Sequence, residues 1–183
     1  MSDAALIESS LIDPRSFEVL FDRHFRAIFR FLRGRVGPEL AEDLASETFL
    51  VAFRRRRSYD LSRDDARPWL FGIATNLLRE HRRSEERHLR AYGRMTDEYA
   101  SAPGQTPEHL DPELSAALLE LSHDERSLIL LLAWADLTYE QLADALDVPV
   151  GTIRSRVSRV RSKLSALLVP VNASVEASGC SLA

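Results

Sequence analysis

Apolar side chains recur every three to four positions along most of the chain, which is the spacing of one face of an α-helix. The first such helix is predicted over residues 16–33, the second over residues 39–57, and a third begins at Pro68. No segment alternates apolar and polar residues as a half-buried strand would. The apolar face of the first helix comprises Phe17, Leu20, Phe21, His24, Phe25, Ile28, Phe29 and Leu32. The pattern predicts an all-α protein in which His24 is a core or boundary histidine.

The second half of the chain contains a helix-turn-helix pattern. Thr138 and Gln141 match a capping box, in which the two side chains satisfy backbone donors at the start of a helix. Asp147 and the residues up to Pro149 end that helix, and Pro149 suits the first turn of the next one because no backbone donor is needed there. The second helix is predicted to bury Ile153, Val157, Val160, Leu164 and Leu167. Two helices joined by so short a turn define a helix-turn-helix.

Segments without helical spacing divide the chain into two parts. Proline, glycine and small polar residues cluster over residues 101–107, which is typical of a flexible linker. After this linker, one short helix is predicted beyond Pro112, and the capping box of Ser122 and Glu125 opens another. We therefore predict two small helical domains joined by a flexible linker, the second a helix-turn-helix domain. The predicted boundaries are a flexible N-terminus at 1–13, a first domain at 14–92, a linker at 93–109, a second domain at 110–168 and a disordered tail at 169–183.

Charge is distributed unevenly along the 183 residues, although the formal net charge is only −4. Residues 1–94 carry 18 basic and 15 acidic side chains, residues 95–149 carry 1 and 12, and residues 150–183 carry 5 and 1. Two basic segments are therefore separated by an acidic one. This distribution suits two contacts with a polyanion such as a nucleic acid.

Several classes of protein are disfavoured by residue usage. Cys180 is the only cysteine and the histidines are scattered, so we predict no disulfide, no metal site and no cofactor, and we expect a cytoplasmic protein. The longest apolar run, Leu128–Ala135, has eight residues, which is far too short to span a bilayer, and no membrane insertion is expected. Neither a phosphate-binding loop nor paired metal ligands nor a GxSxG motif is present, so an enzyme is not predicted.

The outer face of the second helix of the helix-turn-helix carries arginine and serine in one stripe. Arginine can bond two acceptors of a guanine edge in the major groove, and serine can serve either kind of base edge. No carboxylate lies between Val150 and Leu168, which favours DNA contact over the alternative of a solvated basic helix. The stripe comprises Arg154, Ser155, Ser158, Arg159 and Ser162, and Arg156, Arg161 and Lys163 flank it as candidate phosphate contacts.

Two faces of the first domain carry further candidate chemistry. The outer face of the second helix begins with acidic residues and ends in the run Arg54–Arg57, an order that complements the helix dipole and so fits either helix stability or a partner. On the third helix, Asn76, Arg79 and Arg83 share a face that fits either nucleic-acid contact or solvation. The acidic residues of the second helix are Glu42, Asp43 and Glu47.

The first helical domain is followed along the chain by the helix-turn-helix domain, and with both domains in this order the chain resembles bacterial RNA polymerase sigma factors of the extracytoplasmic-function (ECF) group. AEDLASETFLVAFRR (41–55) resembles the helix with which that family grips the polymerase clamp. RPWLFGIATNLLREHRR (67–83) resembles the helix that meets the −10 promoter element. LTYEQLADALDVPVGTIRSRVSRVRSKL (137–164) resembles the domain that reads the −35 element.

The resemblance implies a role for each of three residue sets. The −35 element would be contacted by Thr152, Arg154, Ser155, Arg156, Ser158, Arg159, Arg161 and Lys163. The −10 element would be contacted by a specificity loop and helix that include Tyr59, Asp60, Arg63, Arg67, Trp69, Asn76, Arg79, Arg82 and Arg83, and a flipped base of the non-template strand would enter the loop. Polymerase would be bound by Glu42, Asp43, Ser46, Glu47, Phe49 and Leu50.

The sequence therefore predicts a promoter-specificity subunit. Its implied partners are the clamp helices and flap of core RNA polymerase, promoter DNA as duplex and as non-template single strand, and an anti-sigma factor. The alternative is an ordinary helix-turn-helix regulator that binds duplex DNA as a dimer. That alternative accounts for residues 110–168 but leaves the first domain without a role.

Overall fold

A computed structural model describes residues 1–91 and 111–168, and within them helices are joined by short turns and loops, with no strand. This confirms the predicted all-α class. The predicted linker and tail, with Cys180, lie outside the described residues. The helices are α1 Asp3–Ser10, α2 Ser16–Val36, α3 Pro38–Arg55, α4 Arg67–Ala91, α5 Pro112–Leu119, α6 His123–Trp134, α7 Tyr139–Leu146 and α8 Val150–Leu168.

The N-terminal segment differs from its prediction. A flexible N-terminus at residues 1–13 is wrong for most of that segment, because α1 is a packed helix. The Ser2 hydroxyl caps it by accepting a hydrogen bond from the backbone N–H of Ala5 at 3.3 Å. Leu6 and Ile7 are 3% and 0% exposed. An eight-residue helix is not stable alone, so burial of this apolar face against the first domain holds it in place.

Helices α2, α3 and α4 supply the core of the first domain. Gly37 joins α2 to α3 with a φ of 82°, a left-handed value that glycine adopts without steric cost. Aromatic rings interlock between the helices: Phe17 and Phe53 meet edge to face with centroids 5.3 Å apart. His24 is 8% exposed, which confirms it as a core or boundary histidine.

The second domain confirms the predicted helix starts. Capping boxes of Ser122 with Glu125 and of Thr138 with Gln141 open α6 and α7. Asp147 ends α7 with a φ of 52°. Aspartate is one of the few residues besides glycine that tolerate this left-handed conformation, so the turn between α7 and α8 is formed without a glycine.

Helix α8 is held by its apolar face for most of its length. Ile153, Val157 and Val160 are at most 1% exposed, and Leu164 is half-buried. Leu167 is 44% exposed, so its predicted burial is wrong. The last turn of α8 extends beyond the apolar cluster formed with α5 and α6, which reaches only as far as Leu164.

The two predicted domains pack against each other. The largest contact between them is α4 against α7, and Leu70, Leu131 and Leu142 belong to one continuous apolar core that crosses the boundary. Gly72 makes the close approach possible, because a Cβ atom at that position would lie 2.7 Å from the backbone oxygen of Ala145.

Candidate nucleic-acid and polymerase interfaces

The predicted −35 contacts lie on the outward face of α8. Burial of its apolar residues fixes the rotation of the helix about its own axis and turns the opposite face to solvent. The Ser155 hydroxyl donates to the backbone oxygen of Thr152 at 3.0 Å and so stays close to the helix surface. Arg154, Ser155, Ser158, Arg159, Arg161 and Lys163 are exposed, and Thr152 and Arg156 are half-buried.

The cations of this face form only weak ion pairs with carboxylates of the protein, which would compete with DNA phosphates for them. Nη2 of Arg154 lies 3.9 Å from Oε1 of Glu140, and the two side chains are 66% and 67% exposed. Nζ of Lys163 lies 3.3 Å from Oε2 of Glu125. Exposed ion pairs of this kind contribute at most about 1 kcal/mol, so phosphate groups can displace them.

An aromatic pair, a buried tyrosine against a half-buried tryptophan, supports the predicted −10 loop. The short 3₁₀ turn Arg56–Ser58 leads from α3 into the loop at 59–66. Tyr59 is 8% exposed, and the centroid of its ring lies 4.9 Å from that of Trp69. The Tyr59 hydroxyl donates to the backbone oxygen of Arg63 at 2.6 Å. Burial, reinforced by nearby carboxylates, raises the pKa of Tyr59 to about 12, so the hydroxyl stays protonated and keeps donating.

Asp60 folds the tip of this loop. Its carboxylate accepts hydrogen bonds from the hydroxyl of Ser62 at 2.7 Å and from the backbone N–H of Ser62 at 3.1 Å. Those bonds to Ser62, helped by Arg63, lower the pKa of Asp60. The side chain is exposed, but its oxygens are engaged in shaping the loop.

The end of the loop carries an ion pair that also meets the second domain. The Asp65 carboxylate accepts from the backbone N–H of Arg67 at 2.9 Å and from its Nη2 at 2.8 Å. Partial burial alone would raise the pKa of Asp65, but the hydrogen bonds from Arg67 outweigh it and the pKa is lowered. Across the boundary, Nε2 of Gln141 donates to Oδ2 of Asp65 at 2.8 Å, and Arg63 pairs with Asp144 of α7.

The predicted −10 residues on α4 are divided between solvent and the domain boundary. Asn76 and Arg83 are exposed and line one groove along the helix. Arg79 is half-buried, and its Nη2 lies 3.1 Å from Oδ1 of Asp124 in α6. Burial, reinforced by a neighbouring arginine of the second domain, lowers the pKa of Arg82.

The predicted polymerase-binding residues form an exposed patch on α3, with one exception. Phe49 is 4% exposed, and its ring centroid lies 4.9 Å from that of Phe21 and 6.0 Å from that of Phe25. A direct partner contact for Phe49 is therefore contradicted, because its side chain belongs to the apolar face that packs on α2. The exposed members of the patch are Glu42, Asp43, Ser46, Glu47 and Leu50.

The sequence pattern did not predict which residues form the contact between the two domains. Arg35 is 3% exposed, its Nε lies 3.3 Å from the Ser127 hydroxyl, and its guanidinium lies 3.7 Å from the ring centroid of Phe31. A glycine inside a helical pattern, such as Gly72, is a sequence signal for close approach, but the pattern does not indicate what approaches. The group that approaches Gly72 is the backbone oxygen of Ala145, and a backbone atom leaves no trace in the sequence.

Two absences within the described residues bear on other kinds of site. In residues 1–91 and 111–168, no three histidine, cysteine or acidic side chains are grouped so as to hold a metal ion. None of the helices in these two segments is both long and apolar enough to cross a membrane.

The all-α fold, the helix-turn-helix with its exposed cationic stripe, and the separate acidic patch on α3 define the class of a helical nucleic-acid-binding transcription factor. Residues 20–88 match the family model of sigma-70 region 2, and residues 112–164 match that of sigma-70 region 4. The chain belongs to the sigma-70 family of RNA polymerase sigma factors, in its ECF group.

Similar proteins cover most of the chain. It is 40% identical over 134 residues to the ECF RNA polymerase sigma factor EcfG of Rhodopseudomonas palustris, covering 72% of this chain and 73% of that one. It is 32% identical over 164 residues to the ECF RNA polymerase sigma factor SigC of Mycobacterium tuberculosis, covering 83% of each. The structure of the sigma factor RpoE of Bartonella quintana, in complex with the anti-sigma factor NepR, matches with a TM-score of 0.67 at 25% identity over 84% of this chain and 97% of that one.

These matches confirm the predicted function at the level of the family. The chain is a sigma factor that binds RNA polymerase and recognises promoters. The alternative of a dimeric helix-turn-helix regulator is not favoured, because it leaves the match of residues 20–88 to region 2 unexplained. Sigma factors are initiation factors without catalytic activity.

Proposed function

We propose that three surfaces of this sigma factor divide the work of promoter recognition. The exposed acidic patch on α3 docks on the clamp helices of core RNA polymerase, α8 reads the −35 element, and the loop at 59–66 with α4 captures the −10 element. The observation that carries this proposal is the placement of two separate basic surfaces, one on each sigma-type domain, with the acidic patch on a third surface.

The α3 patch suits a protein partner. Glu42, Asp43 and Glu47 are exposed, and Leu50 beside them is 47% exposed. An acidic rim around an apolar residue favours a basic, partly apolar surface on the partner. Phe49 then contributes indirectly, because it anchors the helix on α2 from the other side.

Helix α8 suits the major groove of duplex DNA. Arg154 and Arg159 stand in the exposed stripe at positions that can reach base edges, and small serines between them let the backbone approach. Arg156, Arg161 and Lys163 flank the stripe and are assigned to phosphates, which fix register without reading sequence.

The −10 surface requires the two domains to separate at their boundary. Arg63 and Arg79 form ion pairs with Asp144 and Asp124 of the second domain. Asp65 accepts a hydrogen bond from Gln141 of the same domain. A DNA strand that follows the loop and α4 would have to displace these partners. Because the ion pairs are largely exposed, each contributes little, and DNA phosphates can replace the acids.

Strand opening follows from binding energy and not from catalysis. Flipping a base out of the duplex costs a few kcal/mol, which a complementary pocket must offset. Tyr59 and Trp69 provide an aromatic wall for such a pocket, lined also by Asp60 and Asp65. We therefore infer a non-enzymatic, cofactor-free role in the cytoplasm, where this protein would bind RNA polymerase and promoter DNA.

Two further partners belong to this proposal. The second domain would contact the polymerase flap while α8 holds the −35 element. The similarity to RpoE, whose structure contains the anti-sigma factor NepR, supports control of this chain by an anti-sigma factor as well.

Docking through α3 is tested by reversing its charge. Glu47→Lys combined with Leu50→Ala is expected to weaken binding to core polymerase about tenfold or more, because one attraction becomes a repulsion and an apolar contact is lost. The measurement is a titration of labelled sigma factor with core polymerase. Glu120→Lys, an equal charge change at an exposed position of the second domain, is the matched control and should bind like the wild type.

Binding of −35 duplex by the double variant should stay unchanged, since α8 is untouched. Equal polymerase affinity for the wild type and the double variant would place the docking surface elsewhere.

A further inference from the structure

The N-terminal helix braces both ends of the −10 loop. At the end of α1, the backbone oxygen of Ser10 accepts a hydrogen bond from Nε of Arg56 at 3.4 Å, just before the loop begins. At the start of α1, the backbone N–H of Asp3 donates to the backbone oxygen of Asp64 at 3.1 Å, just before the loop ends. One short helix therefore spans the entry and the exit of the loop.

The side chain of Asp3 adds the strongest of these attachments. Its Oδ2 accepts a hydrogen bond from the backbone N–H of Ala66 at 3.0 Å and lies 2.8 Å from Nε2 of His24. Its Oδ1 accepts from Nη1 of Arg23 at 2.5 Å. Asp3 is 5% exposed, so its carboxylate exchanges hydration for these three partners, and hydrogen bonds to a charged group are stronger than those between neutral groups.

Attachment of α1 does not by itself require this carboxylate. Leu6 and Ile7 already bury the apolar face of the helix. A buried charge is a costly way to hold a helix in place, because well-packed apolar residues do so at least as well. The carboxylate adds a specific hydrogen bond from the backbone N–H of Ala66, the residue between Asp65 and the first turn of α4, and so fixes the position of that residue.

We propose that Asp3 is a positioning residue for recognition of the −10 element. It acts through Ala66, fixing the end of the loop so that Asp65, Arg67 and Trp69 present a preformed surface to the unpaired strand. A loop fixed before binding loses less conformational freedom on binding, which favours capture of the correct base. This inference rests on the proposed −10 role of the loop.

The test uses holoenzyme reconstituted with full-length Asp3→Asn and a promoter that the wild-type holoenzyme opens. Asparagine keeps the size of the side chain and one acceptor oxygen but loses the charge. The matched control is Glu8→Gln, the same loss of charge on the exposed face of α1. Each holoenzyme is assayed for strand opening, by permanganate reactivity of unpaired thymines, on the promoter and on versions with single substitutions in the −10 element.

The informative quantity is discrimination, the ratio of opening rates on the correct and the substituted promoter. We expect Asp3→Asn to lower this ratio about tenfold at the captured base, with core affinity and −35 protection unchanged. Glu8→Gln should behave as the wild type. A purely structural role would slow opening on both promoters alike and leave the ratio unchanged, and that result would overturn the proposal.

A second variant covers the case in which Asp3→Asn does not fold. Arg23→Gln removes the half-exposed partner of the carboxylate and leaves its bonds to Ala66 and His24, so discrimination should fall in the same direction by a smaller factor. Unchanged discrimination in Arg23→Gln, with Asp3→Asn unfolded, would reject the positioning role. If the wild-type holoenzyme opens no promoter, the proposed function itself fails, which is a different outcome from wild-type opening with unchanged discrimination in the variants.

Discussion

Arg154→Ala and Arg159→Ala are each expected to cost about 1–3 kcal/mol of binding free energy at the cognate −35 element, or roughly 5- to 150-fold in affinity. Both guanidinium groups lie on the exposed stripe of α8, and the contact of Arg154 with Glu140 is long, at 3.9 Å, and exposed. Because arginine bonds two acceptors of a guanine edge, alanine at either position should also relax the base preference at one position of the element.

The comparison that separates reading from simple attraction is Arg161→Ala, which removes a flanking cation of the same helix. That variant should weaken binding about equally for all sequences and reduce the salt dependence of affinity. The measurement is a competition titration of the −35 duplex against variants with single base changes. If Arg154→Ala and Arg159→Ala kept the wild-type base preference, the stripe would not be the reading surface.

Gly72→Ala is expected to separate the two domains while stabilising the helix that carries the substitution. The added Cβ would lie 2.7 Å from the backbone oxygen of Ala145, a contact that neither helix can relieve by turning a side chain. Overpacking of this kind typically costs about 1–3 kcal/mol. Alanine in place of glycine inside a helix also favours the helix by about 1 kcal/mol, so the first domain itself should not lose stability.

Gly151→Ala is the matched control for this prediction. It introduces the same methyl group into α8 at a position with nothing within 4 Å, so only helix propensity changes. Solution scattering should give a larger radius of gyration for Gly72→Ala than for the wild type or Gly151→Ala. Because Arg63 and Arg79 would be released from the second domain, Gly72→Ala should also bind −10 single strands more tightly in holoenzyme. An unchanged radius of gyration would mean that the α4 to α7 contact does not hold the domains together.

The helices of the second domain could be predicted in detail because their signals are local. A capping box is read within four residues, and both of those predicted, at Ser122 and at Thr138, are present. The rotation of α8 was also predictable, since its apolar spacing determines which side is buried and therefore which side carries the arginines.

The N-terminal helix and the domain boundary depend on partners distant in sequence. Helix α1 is too short to show a clear helical repeat in the sequence, and its stability comes from residues such as Leu6 that pack on other helices. Asp3 meets Ala66, and Gly72 meets Ala145, at separations that no periodic pattern spans. Phe49 shows the same difficulty at the docking surface: its position within the family motif suggested a partner contact, whereas its neighbours Phe21 and Phe25 bury it.

Run-off transcription tests directly whether this protein gives core RNA polymerase its promoter specificity. Purified core RNA polymerase is incubated with and without this protein on a library of genomic promoter fragments, and new transcript starts are mapped. We expect starts that appear only with the protein and share two spaced upstream motifs, and these starts should be lost with the Glu47→Lys and Leu50→Ala double variant. Specific binding of the protein alone to duplex DNA, with no new starts in the presence of polymerase, would contradict this expectation.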